Sequence, residues 1–166
     1  MLLALDCPFG ASKWAPSRLS ALSRRRLAAI IPKIADFGLA TFLLQPRTSS
    51  AVGEILGTPG YMAPEQAAGD MAAISPATDI YGLGTILYEM LAGKPPFRAS
   101  NLTEILNLVR CQPPASPRSL NPRIPAELET ICLRCLNKAP HERYASAASL
   151  AKDLFRWLRE AKRLPR

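Results

Sequence analysis

From residue 75 onward, apolar side chains recur at helical spacing and proline-rich turns separate the runs. Ser75 followed by Pro76 is a start signal, because proline is tolerated at the first helical position where no N–H is needed. Ile80, Leu83, Leu87, Met90 and Leu91 then form a stripe that Ile86 widens, and Gly93 with Lys94-Pro95-Pro96 stops it. So broad an apolar face predicts a central, largely buried helix. Asn101 and Glu104 predict a capping box for a shorter helix carrying Leu102, Ile105, Leu106 and Val109. A long loop is expected from Gln112 to Ile124, which contains Pro113, Pro114, Pro117 and Pro122. Pro125 opens a third helix with Leu128, Ile131, Cys132, Cys135 and Leu136 on one side, and Pro140 closes it. Ser146 caps a fourth, whose Leu150, Leu154, Trp157 and Leu158 keep the helical period, and a basic tail follows. Before residue 75 periodicity is poor. Lys33-Ile34-Ala35 reads as a short strand, and residues 39–62 as a long loop rich in Thr, Ser and Gly. Loops of that length inside compact domains usually carry function.

A chain of 166 residues, 48% apolar and 20% charged, can bury one ordinary core. Its net charge of +8 changes meaning once located. Residues 1–32 hold Lys13, Arg18, Arg24, Arg25 and Arg26 against Asp6, which accounts for +4, and the other 134 residues carry the rest. No aromatic residues interleave with those charges as a stacking platform would need, which argues against nucleic acid as a partner. No stretch approaches the roughly 18 apolar residues of a membrane span. Met1-Leu2-Leu3-Ala4-Leu5 is too short for a signal-peptide core; residues 11–32, rich in Ser, Arg and Ala and poor in acids, faintly resemble a transit peptide but read better as an untargeted, poorly structured lead-in. Cys7, Cys111, Cys132 and Cys135 are scattered, which fits a reducing, cytoplasmic setting. Cys132-Leu-Arg-Cys135 has half the spacing of a zinc knuckle, but no second pair exists and His141 is the sole histidine. At i and i+3 of a helix, the two cysteines read as small buried hydrophobes.

Asp36-Phe37-Gly38 follows the short strand, and Ala63-Pro64-Glu65 comes 27 residues after Asp36, inside Gly57-Thr58-Pro59-Gly60-Tyr61-Met62-Ala63-Pro64-Glu65. Alone the first triplet means little; at that distance from the second it resembles the ends of a protein-kinase activation segment. The likeness continues through Asp79-Ile-Tyr-Gly-Leu-Gly84, Leu87-Tyr-Glu-Met-Leu-Ala-Gly-Lys-Pro-Pro-Phe97 and Cys135-Leu-Asn-Lys-Ala-Pro-His-Glu-Arg143-Tyr, all in order. Gly57-Thr58-Pro59 with Tyr61 is similar to the Ser/Thr-specific form, and Glu65-Gln66-Ala67 with Arg143-Tyr144-Ala145-Ser146 to the bacterial eukaryotic-like kinases. The resemblance covers residues 32–160, leaving 1–31 as the lead-in and 161–166 as the tail. It implies a mainly α fold: a kinase C-lobe fragment with a long activation-segment loop and about four helices.

For individual residues the resemblance implies the following. Asp36 would bind Mg²⁺, a hard ion that takes oxygen ligands and bridges ATP phosphates; otherwise it is a solvated acid at a turn. Thr58 would sit in the substrate-facing loop, or else is a simple turn threonine. Glu65 would pair with Arg143 and fix the activation segment to the helical base, a role for which a planar guanidinium suits better than lysine. Asp79 would accept hydrogen bonds from the catalytic-loop backbone, or serve only as an acid at a helix N-terminus. Thr48, Ser49 and Ser50 would be phosphorylation sites, or merely loop hydroxyls.

The family also uses a glycine-rich loop, a strand lysine paired with a helix glutamate, and HRDxxxxN shortly before DFG. Here that neighbourhood reads Pro16-Ser-Arg-Leu-Ser-Ala-Leu-Ser23, with neither Asp nor Asn. Asp6 is the one upstream aspartate and has Ala11 where asparagine should stand; Gly10 is the one glycine before DFG. Lys13 has no strand context, and no glutamate precedes Glu54. No catalytic base can be assigned, so the chain is expected to be inactive in phosphoryl transfer, which depends on positioning and electrostatics. Residues 1–31 are then expected to be foreign to the family, through a misplaced start or a shifted reading frame.

Three accounts follow. The chain is part of a kinase whose intact form uses ATP and Mg²⁺ on protein Ser/Thr. Alternatively it is a stand-alone, pseudokinase-like C-lobe that binds protein substrates or other kinases. As a third, Cys132 and Cys135 hold a metal. Loss of covering elements would also leave apolar surface open to self-association.

Overall fold

The computed structural model describes residues 2–5, 32–35 and 59–161. Contacts divide the chain into two units, Met1–Thr48 and Ser49–Arg166. In the first, β1 (Leu2–Leu5) and β2 (Pro32–Ala35) pair antiparallel, with Leu2 opposite Ala35 and Leu5 opposite Pro32. Pro32 takes the first position of its strand, where a missing N–H is tolerated. The strand expected at residues 33–35 is β2. Its partner falls in the lead-in, where four apolar residues are too few to declare a strand.

The second unit is helical. Its described residues open with a 3₁₀ turn (Pro59–Tyr61) and continue with α1 (Pro64–Ala67), α2 (Pro76–Ala92), α3 (Leu102–Cys111), α4 (Pro117–Leu120) and α5 (Ala126–Cys135). A second 3₁₀ turn (Pro140–Glu142) leads to α6 (Ala147–Ala161). The four helices legible as periodic runs are α2, α3, α5 and α6. The two extra ones are single turns built by prolines at N1. Ala63 N–H donates to Gln66 Oε1 at 3.0 Å at the start of α1, and Ser119 N–H donates to Ser116 Oγ at 3.3 Å at the start of α4. The segment Gln112–Ile124 is thus not wholly loop, since α4 lies inside it.

Helix ends follow the local chemistry. Asn101 Oδ1 accepts from Glu104 N–H at 2.8 Å, as the capping signature requires. Ser146 Oγ accepts from Ser149 N–H at 3.1 Å, and Ser149 Oγ from Ser146 N–H at 3.2 Å, so α6 begins with a reciprocal serine box. α2 stops at Gly93, whose φ of 75° is the left-handed conformation that glycine adopts without a Cβ penalty. α5 ends at Cys135, before Pro140, which instead opens the second 3₁₀ turn.

Among the described residues the core has three clusters. Ala63, Tyr81, Tyr88, Cys132 and Leu136 form one between α2 and α5. Ile80, Ile131, Cys135, Tyr144 and Leu150 form a second that brings in α6 through Leu154 and Trp157. Ala67, Phe97 and Val109 form a third under α3. The buried line of α2 is therefore Ile80, Tyr81, Gly84, Thr85 and Tyr88, offset from the aliphatic stripe; Met90 is 58% exposed. Both tyrosines bury their rings fully, Tyr88 by donating its hydroxyl to the Ala115 carbonyl at 3.0 Å. Cys132 and Cys135 are fully buried in two of these clusters, and burial first of all pushes both thiols up to about 12. They stay protonated and pack as hydrophobes.

α2 and α5 touch at Gly84. A Cβ there would lie 2.5 Å from Cys135 Cβ and 3.2 Å from Leu136 Cδ2, far inside van der Waals contact. Gly82, two residues earlier on the same helix, has nothing within 4 Å of the corresponding point. The pair separates packing from propensity. Gly84→Ala is expected to destabilise by about 1–3 kcal/mol, because neither Cβ nor backbone can retreat freely. Gly82→Ala is expected to be neutral or stabilising by up to about 1 kcal/mol. Urea unfolding of both variants checks this; equal effects would show that the close contact is not the cause.

Candidate functional site

Glu65 lies in α1 and Arg143 just beyond the second 3₁₀ turn, and they meet across 78 residues of sequence. Arg143 Nη1 donates to Glu65 Oε1 at 2.8 Å and Nη2 to Oε2 at 2.9 Å, a fork-on-fork contact. Both residues are buried, at 5% and 2% exposure. The remaining three donors of the guanidinium go to backbone carbonyls: Nε to Asn137 at 2.8 Å, Nη1 to Ala77 at 2.9 Å and Nη2 to Lys138 at 2.9 Å. All five N–H groups of the arginine are therefore used. Its plane also lies 5.0 Å from the centroid of the Tyr81 ring.

Glu65 is served equally well. Thr78 Oγ1 donates to Oε1 at 2.7 Å while accepting from Ser75 N–H at 3.1 Å, so one hydroxyl ties the carboxylate to the first turn of α2. Burial alone would raise the Glu65 pKa. Hydrogen bonds from Arg143, from the backbone and from Thr78 outweigh it, and the carboxyl is held below its usual range. The ion pair thus joins α1, the start of α2 and the turn after α5.

Lys138 extends the arrangement. Its Nζ donates to the Val109 carbonyl at 2.5 Å, in the last turn of α3, and lies 4.3 Å from the centroid of Phe97. Burial, and then the nearby Arg143 charge, bring its pKa down to about 8. Beside it runs an open groove of about 500 Å³ whose wall includes Pro59, Tyr61, Phe97, Arg98, Asn101 and Leu102. The Tyr61 hydroxyl donates to the Glu89 carboxylate, and burial, reinforced by that carboxylate, pushes its pKa up to about 12. The groove wall is therefore pinned to α2.

Of the residues singled out in the sequence, the structure brings Glu65 and Arg143 together. Asp79 is exposed in the first turn of α2, with no hydrogen bond from a described residue. Asp36, Thr48, Ser49, Ser50 and Thr58 lie outside the described residues, as does Cys7. Thr78 was not singled out; Tyr61 stood only as a mark of the Ser/Thr-specific form, and Tyr81 and Lys138 only inside family-like runs, none with a contact assigned. Ser75-x-x-Thr78 could have flagged the first, as a serine three residues before a second hydrogen-bonding side chain at a helix start. Nothing in the spacing marks Lys138. Among the described residues no group of three His, Cys, Asp or Glu side chains is placed to hold a metal, and Asp36 lies outside them.

A helical base with a buried glutamate–arginine fork tying an APE-type turn to the segment after α5 is the lower half of a kinase catalytic domain. The protein kinase domain profile matches residues 23–155, and the chain belongs to that family. The match opens nine residues before position 32, where the family-like region was expected to begin. Among similar proteins, the serine/threonine-protein kinase Pkn1 of Myxococcus xanthus is 39% identical over 133 residues, 80% of this chain and 19% of that protein. The DNA damage-responsive serine/threonine-protein kinase RqkA of Deinococcus radiodurans is 39% identical over 121 residues, 73% of this chain and 18% of its own length. The serine/threonine-protein kinase PknB of Mycobacterium leprae is 33% identical over 124 residues, 75% of this chain and 20% of that one. These relatives are bacterial serine/threonine kinases, and the chain spans about a fifth of their length.

Two outcomes are expected for the ion pair. Arg143→Met strands a buried carboxylate and should cost roughly 3–5 kcal/mol, and Arg143→Lys should lose a large share of that, because three donors cannot replace five. A double-mutant cycle with Glu65→Gln should show coupling well above the noise of additive sites. The pH dependence follows from the lowered Glu65 pKa. A carboxyl whose folded pKa lies below its unfolded one contributes stability that is complete above the unfolded value and fades as pH falls through the folded one. Thermal unfolding followed from neutral to acid pH should therefore fall less steeply for Glu65→Gln than for the unaltered chain; parallel curves would remove the assignment.

Proposed function

We propose that this chain serves as the helical base of a bacterial serine/threonine kinase domain, holding an activation segment and offering a docking face to protein partners. The observation that carries this reading is the fully satisfied Glu65–Arg143 fork, which fixes the end of the activation segment with no help from a nucleotide. The groove beside Tyr61, Phe97 and Leu102 supports the docking role, since it is open, partly apolar and braced on α2 and α3. In an intact domain, the established chemistry of the family is ATP-dependent phosphorylation of protein Ser/Thr, and Asp36 would there hold Mg²⁺. Thr58 would face the substrate, Asp79 would receive the catalytic-loop backbone, and Thr48, Ser49 and Ser50 would be available for phosphorylation. Residues 32–160 make up this partial domain, between the lead-in of residues 1–31 and the tail of 161–166.

The 166 residues contain no glycine-rich loop and no HRDxxxxN, so the chain alone is proposed not to transfer phosphate. Its partners would be protein substrates or other kinases. Self-association is the other proposed contact, because Met90, Leu102 and Leu120 are left exposed on the helical unit. Among the described residues no helix is long and apolar enough to cross a membrane.

Incubation of the purified chain with labelled ATP and Mg²⁺ is expected to give no phosphate transfer above a no-protein control. Transfer that disappears on Asp36→Ala would overturn the inactive reading. Light scattering of the same sample should show oligomers, and a clean monomer would count against self-association while leaving the kinase-base reading intact.

A further inference from the structure

The distribution of charge isolates one element. Residues 33–151 carry ten basic and ten acidic groups and are neutral as a whole. Residues 152–166 carry Lys152, Arg156, Arg159, Lys162, Arg163 and Arg166 against Asp153 and Glu160, a net +4 and half the charge of the chain. This excess begins on α6. The helix packs one side against the core through Leu150, Leu154 and Trp157. On its open side Phe155 is 64% exposed and Leu158, three residues on, is 42% exposed. Lys152, Arg156 and Arg159 are exposed on the same helix, and Lys152 and Arg159, at i−3 and i+4 from Phe155, share its face. Arg156 Nη2 meets Asp153 Oδ1 at 3.0 Å, which leaves Lys152 and Arg159 as the cations on the Phe155 face with no ion pair to a described acid.

We propose that this face of α6 docks on an anionic phospholipid surface, with Phe155 and Leu158 entering the headgroup boundary and the cations meeting lipid phosphates. The combination is what selects a bilayer. Cations alone would serve an acidic protein or a nucleic acid equally well; an exposed phenyl ring and leucine set among cations on one helix face also match the apolar boundary beneath anionic headgroups. A nucleic-acid platform would need further exposed aromatics for stacking, and Trp157 is turned into the core. A helix with one apolar edge, a bordering row of Lys and Arg and low net hydrophobicity is the type that lies in a membrane interface rather than across it. The basic tail directly after Ala161 continues the same charge.

The test is co-sedimentation of the full 166-residue chain with vesicles of phosphatidylcholine, with and without phosphatidylglycerol, after a clearing spin. Binding is expected only with phosphatidylglycerol, and should weaken several-fold between about 0.1 M and about 1 M salt as the screening length falls from about 10 to about 3 Å. Lys152→Gln with Arg159→Gln should lose about fivefold in affinity for each cation removed. Phe155→Ser with Leu158→Ser, both at exposed positions and checked for helix content by circular dichroism, should lose binding while keeping every charge. No binding to either vesicle overturns the proposal, and so does equal binding to both. If the charge variant fails but the Phe155/Leu158 variant binds normally, the contact is surface attraction alone and the docking of Phe155 and Leu158 into the headgroup boundary is overturned.

Discussion

The helical unit depends on burying one guanidinium whose every donor is used. A charge taken out of water costs several kcal/mol, and only a carboxylate in fork geometry with satisfied remaining donors can offset that cost. Arg143 meets this demand by drawing on four places in the chain: Glu65 of α1, Ala77 at the start of α2, and the carbonyls of Asn137 and Lys138 after α5. Each has to be in position for the others to be worth having. The fork therefore acts as a condition on the mutual placement of α1, α2 and the turn after α5, and not as one contact among many.

The groove inherits its shape from the same condition. Lys138 gives its carbonyl to Arg143 and its ammonium to the last turn of α3, so α3 is referred to the ion pair through a single residue. Tyr61 is referred to α2 through Glu89. The two walls are thus fixed by side chains whose polar ends are taken up inside the fold, and the groove between them is preformed in shape.

Much of this was legible in the sequence, for physical reasons. α2, α3, α5 and α6 are long enough for a period to emerge, and their caps are local chemistry: Asn101 with Glu104, Ser146 with Ser149, glycine at residue 93. α1 and α4 are single turns that present no period, so only the prolines at their first positions could have marked them. The buried line of α2 ran through Tyr81 and Tyr88 because a tyrosine with an apolar body can go inside, and a count of aliphatic residues gave Met90 a place that it does not take. Glu65 and Arg143 could be paired from motif likeness alone, since no local rule links residues 78 apart. Thr78 and Lys138 owe their roles to tertiary neighbours and left little or no mark on the pattern.

That separation of 78 residues also orders events in time. The contacts of α5 with α6 span a short stretch of chain, whereas the fork closes a long one and must wait for the entropy of that closure to be met by neighbours already in place. The fork should accordingly be absent from the rate-limiting ensemble and govern how slowly the native unit comes apart. Its weakening would then appear as faster unfolding at nearly constant refolding rate. An Arg143→Lys chevron with a displaced refolding limb and an unmoved unfolding limb would reverse that order. In such an order of events, the Glu65–Arg143 bond is a clasp on which the lifetime of the helical unit depends.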